Sequence, residues 1–285
     1  MAETTRQVNP EASAETAPSE HHGETIVHTP ERPRRLGKAT LIRLSSLIVV
    51  LVGWELYGRC CINPVLFTHP SAIAQAFVRL SASGELWDAC RESLSVLFTG
   101  WSVGVVIGIF FGLFMARFFF VEYATDLYVN GLYATPIVAL VPLIINWFGF
   151  SAMARIVIVF LFSVFPVLIN TFQGVKNVEA NLLEVARSFC STERQLWRDV
   201  ILPSAVPYIV AGLRLSIGRG LVGLVVAELF TSLAGLGAII VNAQTDMEND
   251  SMFVPIVILM TLGIILSEGL KWFERRIAPW KTQEN

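Results

Sequence analysis

Three ionisable side chains, Arg214, Arg219 and Glu228, sit inside one long apolar run between Pro207 and Phe230. A charged group within such a run is costly, and it faces a protein interior or a water-filled cavity rather than lipid. On a helix, Arg214 and Glu228 share a face about 20 Å apart, while Arg219 is turned roughly 140° away from them. The three cannot serve one purpose. One reading has them line an anion pathway, with arginine supplying attraction and Glu228 setting a gate. The other is structural: Arg214 snorkels toward one surface and Glu228 sits close to the opposite one. Covalent chemistry is not on offer. There is no G-x-x-x-x-G-K-[ST] loop to cradle phosphates, and no H-E-x-x-H or G-x-S-x-G in a fitting context. Cys60, Cys61, Cys90 and Cys190 are too few and too scattered for a disulfide framework or a zinc site. His21 and His22 lie in a polar tail, and no metal site is expected.

The elements that must carry these groups follow from composition. Hydrophobic residues make up 54% of the 285 and charged residues 15%, against about 25% charged in an average soluble chain. Mean hydropathy is +0.59. This predicts an all-α polytopic membrane protein, and the net charge of −2 gives no basis for nucleic-acid binding. Residues 1–36 are polar and poor in large apolar side chains, which predicts a disordered tail that is retained; residues 37–285 form the membrane domain. About 20 apolar residues cross a bilayer core. Six spans are predicted: 39–57, 93–116, 127–154, 156–175, 207–230 and 252–267. Pro136 and Pro142 would kink the third, either to line a path or merely to pack. Gly104, Gly108 and Gly112 form a small-x-x-x-small ladder for helix packing, a role also assigned to Phe110, Phe111 and Phe114. The stretch 71–80 alternates as a short amphipathic helix at the membrane surface, and 232–250, with Gly235, Gly237, Asp246, Glu248 and Asp250, is placed on the same outer side.

Lys and Arg concentrate on the cytoplasmic side of membrane proteins. With the N-terminus inside, that side holds fourteen: Arg32, Arg34, Arg35, Lys38, Arg43, Arg117, Lys176, Arg187, Arg194, Arg198, Lys271, Arg275, Arg276 and Lys281. The other side holds four: Arg59, Arg79, Arg91 and Arg155. Both termini are therefore expected in the cytoplasm.

One cytoplasmic loop, 176–203 between the fourth and fifth spans, is too patterned to be a plain connector. Leu182, Val185, Ala186 and Phe189 recur at helical spacing, with Asn177 able to cap the start. Cys190-Ser191 breaks the pattern. Thr192-Glu193-Arg194-Gln195 then reads as a capping box that opens a second helix, which Pro203 ends before Pro207 starts the next span. The exposed apolar edge of this helix-turn-helix fits either a partner protein or the membrane surface.

At this loop the sequence resembles a known family. Glu184-Val185-Ala186-Arg187-Ser188-Phe189-Cys190-Ser191-Thr192, then Leu202-Pro203 and Pro207 with Ala211-Gly212-Leu213-Arg214, is similar to the "EAA" loop of ABC importer permeases. It is closest to the branch serving nitrate, taurine and alkanesulfonates. Pro136 with Ala139-Leu140-Val141-Pro142-Leu143, Trp147-Phe148-Gly149, Val226-Ala227-Glu228-Leu229 and Gly235-Leu236-Gly237 fit the same pattern, so the resemblance covers roughly 40–281. It implies a non-enzymatic, multi-pass subunit of the bacterial inner membrane that moves a small anionic solute. Two copies would form the pore, an external binding protein would deliver solute, and two partner ATPases would carry the ATP and Mg. This chain would hold no cofactor. By position, Glu184, Ala186, Arg187, Ser188, Phe189 and Thr192 would dock the ATPase, while Pro136, Pro142, Arg214, Arg219 and Glu228 are the pathway candidates. The family usually has Gly where this chain has Cys190, which implies either an altered turn or a strained cysteine. The alternative is a gradient-driven secondary transporter, which would call for mid-depth acids and inverted repeats that the sequence does not display. A membrane enzyme would need paired catalytic groups, also missing.

Overall fold

The structure is a computed structural model describing residues 36–60, 67–231 and 234–277. The expected tail, including His21 and His22, lies outside the described residues except for Leu36. The chain divides into two units, 1–47 and 48–285. Of the first, only the start of helix α1 (Leu36–Cys60) is described. The second holds the remainder of α1 and everything that follows.

Among the described residues every regular element is a helix. After α1 come α2 (Pro70–Ala82), α3 (Glu85–Arg117), α4 (Phe119–Ala134), α5 (Ile137–Phe148), α6 (Ala152–Lys176) and α7 (Ala180–Ser188). The short α8 (Glu193–Gln195) passes through a π-helical turn, Leu196–Ile201, into α9 (Leu202–Thr231). Then follow α10 (Leu236–Thr245) and α11 (Asn249–Ile277). The amphipathic helix expected at 71–80 is α2. Its first turn is held by the Glu55 carboxylate of α1, which accepts from the Ser71 backbone N–H at 3.0 Å, a favourable place for negative charge.

Lipid is as apolar as leucine, so helices in a bilayer associate through close packing rather than through a hydrophobic drive. Glycine makes that packing possible around α6. A Cβ on Gly100 or Gly112 of α3 would come 2.7 Å from the Ile156 or Leu168 carbonyl oxygen, and one on Gly108 would come 2.9 Å from that of Val164. The expected ladder is therefore a packing seam, extended by Gly100. Its partners climb in step (156, 160, 164, 168), so α3 and α6 run parallel. On the other side of α6, Gly223 meets Phe162, Gly220 meets Ser163, Gly212 meets Pro166 and Asn170, and Gly174 meets Tyr208. Those indices run in opposite senses, so α9 is antiparallel to α6. By contrast, Phe110, Phe111 and Phe114 face outward, 63%, 47% and 39% exposed; the packing expected of them against other helices is not made among the described residues.

Parallel α3 and α6 must be joined by a return crossing, and α4 with α5 makes it. Glu122, near the start of α4, pairs with Lys176 at the end of α6. Past α5, Arg155 at the start of α6 pairs with Glu92 near the start of α3. The two helices are bent by 94°, so the third predicted span is a broken span rather than one kinked helix. Thr135 is extended (ψ 133°) and Pro136 is the N-cap of α5, because the residue before a proline is pushed out of the helical region. Pro142, in contrast, is carried inside α5. Counted this way there are six crossings among the described residues.

One element was not expected and one expectation is corrected. The stretch 232–250 contains α10, whose Leu236 and Ile239 join Ile73, Leu80, Leu86 and Val254 in a core at the far end of the bundle from α7. Pro203 and Pro207 do not separate two helices, since 193–231 is one continuous helical run. The π turn sits just before Pro203, whose ring would strike the Asp199 carbonyl in a regular α-helix; the wider turn relieves that clash.

Candidate functional site

Glu179 stands at the N-cap position of α7 without a side-chain cap bond, while Asn177, expected as its cap, instead closes α6. Ala186 is its one buried residue, and α7 packs on the π turn through this inner face. The apolar stripe that Ala186 belongs to is only partly covered: Leu182 and Val185 along its edge, and Phe189 at the C-cap, are exposed, Phe189 by 82%. Glu184, Arg187 and Ser188 are exposed beside them, and the Ser188 hydroxyl donates to the Glu184 carbonyl at 2.9 Å.

The turn after α7 is what aims Phe189. Ser191 N–H bonds the Ala186 carbonyl at 3.2 Å and Cys190 N–H the Arg187 carbonyl at 2.9 Å, the paired bonds of a Schellman ending. Cys190 is left-handed, φ 53°. The cysteine thus occupies the left-handed position that favours glycine, the strained one of the two possibilities. Thr192 then forms the expected capping box, its side chain receiving Gln195 N–H while Gln195 Oε1 receives Thr192 N–H at 2.9 Å. A tie not foreseen from sequence fastens the loop to the membrane bundle. Arg117, the last residue of α3, pairs with Glu193 at 2.6 Å and lies over the Trp197 ring at 5.4 Å. Only the placement of a lone arginine at the end of an uncharged span hinted at it.

The candidates inside the bundle separate into distinct places. Arg214 is half-buried and paired with Glu274 of α11, a partner that lay beyond the predicted last span. Glu228 is fully buried. Its Oε1 accepts from Ser93 Oγ at 2.6 Å and its Oε2 from Gly237 N–H at 2.8 Å. Ser93 Oγ in turn accepts Leu236 N–H at 2.8 Å. The carboxylate thus ties α9 to α3 and to the first turn of α10. A Cβ on Gly235 would fall 2.2 Å from Glu228 Oε1, and one on Gly237 2.4 Å from its Cβ, so both glycines are required by close approach. Nearby, Arg155 is 4% exposed and bonds Glu92 at 2.7 Å, joining α6 to α3. Sequence reading had counted Arg155 only as a loop charge.

Pro136 and Arg219 are brought together. A cavity of about 300 Å³ is lined by both, with Tyr133, Thr135, Phe162 and Phe165. Arg219 lies over the Tyr133 ring at 5.8 Å and forms no ion pair among the described residues. Pro142 lines a separate cavity with Asn146, Phe150 and Phe230.

Comparison with known proteins adds to this geometry. A family described as "Binding-protein-dependent transport system inner membrane component" matches residues 104–279. The SsuC protein of Bacillus subtilis, named as an aliphatic sulfonates transport permease, is 32% identical, over 91% of this chain and 94% of its own length. SsuC of Escherichia coli is 33% identical over 80% and 84%. The Escherichia coli taurine transport system permease protein TauC is 27% identical over 86% and 91%. The crystal structure of an amino acid ABC transporter with histidines superposes with a TM-score of 0.56 at 21% identity, over 70% of this chain and 97% of that one. An inward-facing structure of the MetNI methionine ABC transporter gives 0.55 at 19% identity, over 74% and 99%. These two likenesses support the fold. The gradient-driven alternative finds no support among these relatives.

Proposed function

The chain belongs to the binding-protein-dependent transport system inner membrane components and is an ABC importer permease, without enzymatic activity of its own; on that premise we propose how it is assembled and driven. Two copies form the pore in a bacterial inner membrane, with both termini in the cytoplasm, as the fourteen-to-four distribution of Lys and Arg favours. An external binding protein delivers a small anionic solute, an aliphatic sulfonate or a close analogue, in keeping with the names of the relatives. Two ATPase subunits, which carry ATP and Mg, dock on α7 and the turn behind it. Nucleotide-driven closure of the ATPases draws the two loops together and tilts the bundle between its two access states, a rigid-body switch.

The observation that carries the docking reading is the exposed apolar edge of α7. Phe189 stands 82% exposed at the tip of a turn fixed by backbone bonds on one side and a capping box on the other, with Glu184, Arg187, Ser188 and Thr192 around it and Ala186 seated inward. An aromatic of this kind buries about 150–250 Å² when seated in a cleft. The same edge lying on lipid is the competing use. Affinity purification from native membranes separates them. An ATPase subunit recovered with the native chain and lost with Phe189→Ala or Glu184→Arg supports docking. A chain that is active in reconstituted uptake with no ATPase present overturns it.

A further inference from the structure

The cavity at the break between α4 and α5 has features that a passive conduit does not need. Its volume, about 300 Å³, is that of roughly ten liquid water molecules. Arg219 reaches it from the middle of α9 and forms no ion pair among the described residues, unlike Arg214 and Arg155, which are both paired. Arg219 is exposed, and its guanidinium lies over the Tyr133 ring, 5.8 Å away, a cation–π contact that favours this placement without neutralising the charge. The Thr135 hydroxyl already donates to the Gly131 carbonyl at 2.9 Å, and among the lining residues Arg219 alone is cationic. Phe162 and Phe165 supply apolar wall.

From this arrangement we infer that the permease itself recognises its solute here: Arg219 takes the anionic head of a small organic acid, and Phe162 and Phe165 take its apolar body. The inference rests on the importer reading and deepens it, because it moves part of the specificity from the binding protein into the membrane. It also divides the possible solutes. A hydrated inorganic oxyanion such as nitrate would give up water on every side and regain one cation, which leaves its remaining acceptors against apolar wall at a desolvation cost. An alkanesulfonate or short carboxylate loses less, since its hydrocarbon part belongs against phenylalanine.

The test uses the permease–ATPase complex, purified with its ATP hydrolysis intact and without the binding protein. Binding of ethanesulfonate, butanesulfonate, hexanesulfonate and nitrate is measured by calorimetry. Affinity is expected to rise about fourfold per methylene until the cavity is filled, with nitrate bound far more weakly than butanesulfonate. Arg219→Gln is expected to weaken butanesulfonate about ten- to a hundredfold, the loss of charge-assisted hydrogen bonds. Phe165→Ala is expected to flatten the dependence on chain length while preserving the preference for an anion. Nitrate bound as tightly as butanesulfonate, no binding of any sulfonate, or full affinity in Arg219→Gln would each overturn the inference. Should Arg219→Gln fail to assemble, Arg219→Lys keeps the charge without the planar fork, and the chain-length series on the native complex decides by itself. A complex that hydrolyses ATP yet binds no sulfonate sinks the recognition site and leaves the importer reading standing. Failure to recover any ATPase sinks the docking reading first.

Discussion

Cys190 is a place where the loop is less stable than it could be. Its φ of 53° brings Cβ against the next carbonyl, a penalty of about 1–2 kcal/mol for an L residue in the left-handed region. Glycine would remove that penalty, but it forfeits roughly 0.5–1 kcal/mol by freeing the unfolded chain. Cys190→Gly should therefore stabilise the turn by a net of about 0.5–1 kcal/mol. The effect is local, so it is read best at the amides that close the turn, Cys190 N–H and Ser191 N–H, whose acceptors are the Arg187 and Ala186 carbonyls. Hydrogen exchange of the protein in nanodiscs should show those amides slowed about two- to fivefold, the same free energy expressed as an opening constant. Cys190→Val should act in the opposite direction, since a β-branched residue at positive φ is a genuine outlier. Equal exchange in all three proteins, or faster exchange in Cys190→Gly, would refute the claim that strain is stored here. If α7 is the ATPase-docking element, the same substitution should also change how firmly Phe189 is presented, which ATPase recovery from the complex would report.

Gly237→Ala places a methyl 2.4 Å from Glu228 Cβ, so α10 must move and the Gly237 N–H bond to the buried carboxylate is lost. Overpacking and an under-satisfied buried acceptor together cost about 2–6 kcal/mol, a fall of several degrees in the unfolding midpoint of the detergent-solubilised protein; an unchanged midpoint would argue against the close approach. Glu274→Arg should lower that midpoint by only a few degrees, because the pair it breaks with Arg214 is partly exposed, and Arg214→Glu added to it should restore most of the loss.

How much of this could be read from residues alone depended on the length of each pattern. Long uncharged runs announced α3 and α6 because span length is set by the bilayer, and the repeat at 104, 108 and 112 announced their seam. The capping box at Thr192 was visible because its chemistry is local. The break at Pro136 was seen only as a kink, since a proline removes one bond whether the chain then bends slightly or turns by 94°; the outcome is set by what α5 packs against. Helix α10 escaped notice although Leu236, Ile239, Ile240 and Ala243 recur at helical spacing, because Gly235 and Gly237 at its start and three acids at its end read as a connection; its place is fixed by Glu228 receiving Gly237 N–H, a contact nine residues long in sequence but made across two helices. Glu92, Ser93 and Arg155 were passed over for the same reason. A polar residue at the edge of a span looks like a loop residue until its partner, 63 positions away for Glu92 and Arg155, is in view.

The fastenings at the two ends of the bundle constrain how a push on α7 can travel. At the loop end, Arg117 joins α3 to the run that becomes α9, and α7 rests on the π turn of that same run. At the far end, Glu228 ties α9 back to α3 through Ser93, and Arg155 ties α6 to α3 through Glu92. Between the ends, glycine seams hold α3 and α9 against α6 at contact distance. Helices tied at both ends and packed along their length do not slide singly, because close-packed interiors shift between discrete arrangements rather than deform continuously. If α7 is the docking element, these ties predict that force applied there moves α3, α6 and α9 as one body. The compliance left to the second unit lies where those ties are missing: at Thr135–Pro136, where the backbone hydrogen-bond ladder is interrupted, α5 packs on the rigid group, and Arg219 faces the cavity. A site placed at that joint is one whose shape changes when the rigid group tilts. An ATP-driven permease needs that property in any place where it holds its solute, since binding can bias the switch only through its difference between the two states.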